Sequence, residues 1–156
     1  MATKATDMAM ATDTARETTS NPPNGSAERV THRGSCHCGR VAFEVDAPAE
    51  LDALDCNCSI CARSGFLHLI VPQARFRLLH GEDALVEYRF GSGVARHLFC
   101  RHCGIKSFYV PRSNPDGIDI NVRCLQPDRI ASLRITPYDG RNWEAAAAAI
   151  AHLSQE

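Results

Sequence analysis

The sequence predicts a mainly β fold closed by one short C-terminal helix, and three observations carry that expectation. Apolar and polar residues alternate in short runs between Val41 and Leu125, as in Val41, Phe43, Val45 and again in Ile118, Ile120, Val122. A period of two places such residues on one face of a half-buried strand. Turn-forming segments separate the runs, and a single segment, after Asn142, carries a helical pattern.

Taken in order, the chain begins with residues 1–30, rich in Ala, Thr, Ser, Asn and Pro and without an aromatic residue. Such a stretch cannot bury an apolar face and is expected to be a disordered tail. Asp7, Asp13 and Glu17 argue against an amphipathic targeting peptide, and no apolar run there matches a secretory signal. No segment approaches the length of a membrane-spanning helix, so the expected location is cytoplasmic. Residues 31–156 then form one domain, in line with a chain of 156 residues. Its expected strands are Val41–Val45, His68–Val71, Phe76–Leu79, Val86–Phe90, Ala95–Cys100, Ile105–Val110 and Ile118–Val122. Between them lie Gly91-Ser92-Gly93 and the loop from Pro111 to Gly117, with two prolines and an Asp-Gly pair. Asn142 is a candidate cap for a helix running through five alanines to Leu153. Trp143, Ala147, Ile150 and Leu153 fall near one stripe, with Trp143 expected to dock the helix on the sheet. The net charge of −1, with acids and bases interspersed, argues against a nucleic-acid or anionic-membrane surface.

Chemistry is concentrated in the cysteines. Seven of the eight fall in three clusters: Cys36-His37-Cys38-Gly39, Cys56-Asn57-Cys58-Ser59-Ile60-Cys61 and Cys100-Arg101-His102-Cys103-Gly104. Without a secretory signal, clustered cysteines point to metal binding rather than disulfides. Zinc takes thiolates at the corners of a tetrahedron, and short Cys turns followed by Gly supply them. Iron–sulfur spacings fit less well, since neither ferredoxin pattern is matched. Two chelating turns make a closed, structural site; three thiolates in one short cluster leave a zinc with an exchangeable position. Counting alone therefore divides the seven as four plus three, two zincs per chain. Other divisions stay open: Cys58 and Cys61 could join Cys100 and Cys103 in a ribbon, and His37, His68 or His102 could close a second site. Cys124 is in phase with Ile118, Ile120 and Val122 and is expected to face the core.

The three motifs, with Phe99 before the last, together resemble the glutathione-dependent formaldehyde-activating enzyme family, which also contains centromere protein V. The resemblance continues through Ile70-Val71-Pro72, Phe76-Arg77-Leu78-Leu79, Ser107-Phe108-Tyr109, Pro111-Arg112-Ser113-Asn114-Pro115 and Cys124-Leu125, and spans about Thr31 to Trp143. Its later segments are closer to the centromere protein V branch. The resemblance implies an Mss4-like, zinc-stabilised β-sheet fold with two zincs. It implies that Cys36, Cys38, Cys100 and Cys103 hold the structural zinc, and that Cys56, Cys58 and Cys61 hold a second, catalytic one. The implied reaction joins glutathione and formaldehyde in S-hydroxymethylglutathione, a carbon–sulfur lyase type of chemistry.

A zinc carrying three thiolates is anionic and a poor Lewis acid, which favours exchange of a thiol ligand over polarisation of a carbonyl. The expected partner is thus a small-molecule thiol or thiol–aldehyde adduct. No acid–base residue is assigned: His68 and His97, in strands near the motifs, read as packed or surface side chains, and Arg63, Arg101 and Arg112 as solvated ones. The alternatives to an enzyme are a non-catalytic, zinc-stabilised binding module and a structural protein that forms a homodimer.

Overall fold

A computed structural model describes residues 28–155. The tail expected over residues 1–30 therefore lies outside the described residues, apart from its last three positions. The strands are β1 (Arg29–Ser35), β2 (Ala42–Pro48), β3 (Glu50–Cys56), β4 (Leu67–Pro72) and β5 (Phe76–His80). They continue with β6 (Leu85–Tyr88), β7 (Arg96–Cys100), β8 (Phe108–Val110), β9 (Gly117–Asn121) and β10 (Ser132–Tyr138). Two short helices, α1 (Ser59–Ser64) and α2 (Trp143–Ala146), complete the set. The fold is mainly β, as the alternation requires.

The strands form two sheets. A small antiparallel sheet has the order β1-β2-β5, and a larger one the order β10-β3-β4-β9-β8-β7-β6. Among the described strands only β10 and β3 run parallel. The sheets share one apolar core. Phe43 of β2 is fully buried, with its ring centroid 5.5 Å from that of Phe108 and 5.6 Å from that of Phe76. Opposite Phe43 on β1 stands Gly34, where any side chain would collide with the Phe43 ring.

The centre of the large sheet is buried on both faces. Leu69, Val71, Ile118 and Ile120 face the shared core, while His68, Ile70 and Asp119 line a cavity on the other side. The register fixes this, with Leu69 opposite Ile120 and Ile70 opposite Asp119. Period two then sends every second residue to the cavity.

Several elements differ from expectation. Of the strand expected at Ile105–Val110 only Phe108–Val110 forms, because Ile105 gives its carbonyl to the Cys100 N–H (3.0 Å) and closes the cysteine turn instead. After Asn121 the chain leaves the sheet in a tight 3-10 turn, Val122–Cys124. The Asn121 side chain accepts the Arg123 N–H there. Cys124 is partly buried at the edge of the core rather than in a strand. The C-terminal helix is α-helical for four residues and continues as 3-10 turns from Ala147 to Ser154. Asn142 does not cap it; its amide donates to Asp139 (2.6 Å). Trp143, expected to dock the helix on the sheet, lies under the Arg112 guanidinium in the wall of a cavity, 3.3 Å from ring centroid to Cζ.

Candidate metal centres

The first cluster is built from two tight turns. Cys36 and Cys38 follow β1; Cys100 ends β7, and Cys103 lies three residues on. Gly39 (φ 75°) and Gly104 (φ 74°) adopt the left-handed conformation that lets each chain fold back, and their N–H groups donate to the Cys36 and Cys100 carbonyls at 3.1 and 2.7 Å. A side chain in that conformation costs about 1–2 kcal/mol. The Val41 N–H points at the Cys36 sulfur from 3.3 Å. The four sulfurs lie within 4.8 Å of one another, with Cys36–Cys38 at 3.6 Å and Cys38–Cys100 at 3.7 Å. Metal–sulfur bonds of about 2.3 Å span a tetrahedron whose edges are about 3.8 Å. The donor set and spacing fit such an ion. His37 and His102, beside the cluster, are exposed and belong to no donor group.

The second cluster sits where β3 meets α1. Cys56 ends β3, Cys58 precedes α1, and Cys61 is on its first turn. The sulfurs of Cys56 and Cys61 and a ring nitrogen of His68 lie within 4.8 Å of one another. Cys58 is not in that group, yet its thiol is close enough to both others for them to dominate its titration. Those two thiols hold Cys58 well below the usual thiol range, burial opposes them, and the Cys61 and Ile60 amides reinforce them. Cys61 is pushed far up by its two neighbours and by burial. Three thiols this close cannot all ionise without a counter-charge, and a cation among them would supply it. Cys56 and Cys61 are buried; Cys58 is half-exposed. Gly140 closes over the cluster, leaving no room for a side chain against the Cys56 sulfur. The Asn57 side chain pins that loop by donating to Asp139 (2.9 Å) and accepting the Arg141 N–H (3.0 Å).

Above this cluster opens a cavity of about 430 Å³, whose wall includes Cys58, His97, Tyr109, Arg112, Arg141 and Trp143. Arg112, expected to be merely solvated, stacks on Trp143 at its rim; Arg63 and Arg101 are exposed and away from it. Both strand histidines are packed rather than on the surface, and each is also tied to a charged group. The His68 Nδ1 lies 2.7 Å from the Asp119 carboxylate. The His97 Nδ1 accepts from the Lys106 ammonium at 2.8 Å. Lys106 is itself buried, its ammonium 3.7 Å from the Tyr109 ring centroid and 4.8 Å from that of Phe66. Burial pulls the Lys106 pKa down, while the Cys61 thiol and the Asp119 carboxylate pull it up. Sequence reasoning missed Asp119 and Lys106. Asp119 occupies an ordinary solvent position in an alternating strand pattern, and its burial against His68 is not visible in that pattern.

A mainly β protein with two cysteine clusters, each able to hold a metal ion, and a cavity over the second defines the class. The chain belongs to the glutathione-dependent formaldehyde-activating enzyme family, whose family model matches residues 31–138. It is also similar to a Rhodobacter sphaeroides protein of known crystal structure, at 36% identity and a TM-score of 0.58. That match covers 67% of this chain and 99% of the other. No helix among the described residues is long and apolar enough to cross a membrane.

Proposed function

We propose that the protein is a zinc-dependent enzyme of carbon–sulfur lyase type, acting on a thiol–aldehyde adduct such as S-hydroxymethylglutathione. The observation that carries this is the cavity of about 430 Å³ with Cys56, Cys58 and Cys61 all in its wall, Cys58 the least buried of the three. In this reading Cys36, Cys38, Cys100 and Cys103 hold one zinc with no face open to substrate, and Cys56, Cys58 and Cys61 hold the other. Zinc at the second cluster would lower the pKa of a bound thiol and keep it as a thiolate.

The remaining work falls to the chain. In the cleavage direction the adduct's carbon–sulfur bond breaks, its electron pair stays on sulfur, and the hydroxyl proton leaves as the carbonyl forms. Synthesis is the reverse, with no net oxidation. Apolar walls from Ile70, Tyr109 and Trp143 exclude water from the reacting carbon. Arg112 and Arg141 place guanidinium groups at the cavity wall, suited to the carboxylates of a glutathione-like thiol. The support for glutathione and formaldehyde is the family match; the support for zinc is the thiolate-rich donor sets.

Exchange NMR of formaldehyde with glutathione tests the reaction directly. The metal-loaded protein is expected to speed exchange between free aldehyde and adduct beyond the buffer rate, and Cys58→Ser to abolish that effect. Exchange at the buffer rate with both metals bound would rule the reaction out. Saturable glutathione binding without acceleration would instead fit a non-catalytic module.

A further inference from the structure

Each of the three buried histidines among the described residues has an unpartnered ring nitrogen, and only His68 falls in one donor group with cysteine sulfurs. His68 is 5% exposed, and its Nε2 has no hydrogen-bond partner among the described residues. A buried, unpaired polar atom is costly and calls for a partner. A ring nitrogen of His68 lies within 4.8 Å of the thiols of Cys56 and Cys61, and with Nδ1 taken by Asp119 it is Nε2 that is left for them.

The sheet register creates this arrangement. Leu54 of β3 stands opposite His68 of β4, so Cys56, two residues beyond Leu54, shares the face of His68 as its diagonal neighbour. On the other side His68 stands opposite Asn121 of β9, which makes Asp119 its diagonal neighbour there. Asp119 is 1% exposed, and its Oδ2 is 2.7 Å from the His68 Nδ1. A carboxylate can only accept, so Nδ1 carries the proton, and in the neutral imidazole Nε2 is the nitrogen with a lone pair to offer. The ring is held in place by Phe66, 4.7 Å away between centroids, and Tyr109, 6.1 Å away. A histidine whose outer nitrogen is fixed by a buried carboxylate, with the inner one turned to thiolates, has the arrangement of a metal-binding imidazole.

We infer that His68, oriented by Asp119, is the fourth ligand of the metal held by Cys56, Cys58 and Cys61. The inference rests on the second cluster being a metal site, as proposed above, and refines it. The resting donor set is three sulfurs and one nitrogen, complete without substrate. A substrate thiol then enters by exchange against four donors rather than by filling a vacant corner. Cys58 is the donor most exposed to the cavity.

Cadmium-113 NMR of the full-length protein, loaded with cadmium and labelled with nitrogen-15 at histidine, tests this without reference to activity. The expected spectrum has two cadmium resonances, one of them coupled to a histidine ring nitrogen. His68→Gln should abolish the coupling and shift that resonance while leaving the other in place. Asp119→Asn should weaken second-site zinc binding by about 10–100-fold in a chelator competition. Two cadmium resonances with no histidine coupling in the wild type would overturn the His68 assignment and leave the second metal site standing. Survival of the coupling in His68→Gln would overturn the assignment in the same way. A single bound cadmium, on the first cluster, would overturn both the assignment and the site it rests on. The wild-type spectrum decides the matter even if a variant fails to fold.

Discussion

His97 is clamped between the rings of Phe90 and Tyr109, with centroids 5.2 and 5.0 Å away, and its Nδ1 accepts from Lys106. Burial, helped by the Lys106 charge, pulls its pKa from 6.5 to about 4. The imidazole is therefore neutral in the folded protein wherever the unfolded chain would begin to protonate it. Between those two values the unfolded state binds the extra proton, so stability falls as pH drops through the window and is flat above it. Urea midpoints of the metal-loaded protein are expected to decrease from pH 6.5 toward 4, with a shallower decrease in His97→Gln. Equal slopes in the two proteins would show that His97 does not carry the effect. At this scale the cysteines are legible in the sequence because their chemistry is local: a short turn brings the donors together. The histidine partners are not. Nothing near His68 in the chain announces Asp119, 51 residues away, and Lys106, the partner of His97, is a lysine that read alone is assumed to be solvated.

The covering segment from Trp143 to Ser154 has four α-helical residues and then 3-10 turns, too little regular helix to persist unaided. It stays over the cavity because the buried Asn114 amide donates to the Ile150 and Ala151 carbonyls (3.0 and 3.1 Å) and the Ser154 hydroxyl (3.0 Å). Ser154 donates onward to Asp116 at 2.8 Å. Removing such a buried donor costs about 1–3 kcal/mol. Asn114→Ala is therefore expected to speed amide hydrogen exchange over residues 143–154 while the central strands β4 and β9 keep their protection. Unchanged exchange there would show that the anchor lies elsewhere. Strand legibility follows the same division between local and distant causes. β2 and β9 alternate apolar with polar residues and can be read directly. β1 buries His32 and Gly34 instead of large apolar groups, so its pattern is silent. β3 does alternate, burying Leu51 and Ala53, but its acidic residues have low strand propensity. β10 carries Pro137 and is exposed along its length except at its end, as an edge strand permits.

For the molecule as a whole the two clusters differ in what they join. Cys36 and Cys38 extend β1 of the small sheet, and Cys100 ends β7 of the large one. A metal there ties the two sheets together across 62 residues of chain, at the rim of the shared core. Closing a loop of that length removes much unfolded-state entropy, and the binding energy of a structural zinc becomes folding energy. The second cluster joins α1 to β3 and β4, which are already paired with each other through Leu54 and His68. A metal there would therefore organise a cavity wall rather than the core. Cys38→Ser should lose the cooperative thermal transition and fail to retain metal. Cys58→Ser should melt cooperatively, keep one tightly bound metal, and release the second to a chelator. Native mass spectrometry and thermal unfolding of the wild type and both variants separate these outcomes. If Cys58→Ser unfolded as completely as Cys38→Ser, the second cluster would be a staple of the fold, and the division of labour between the sites would be lost. If Cys38→Ser folded normally, the union of the two sheets would rest on the apolar core alone.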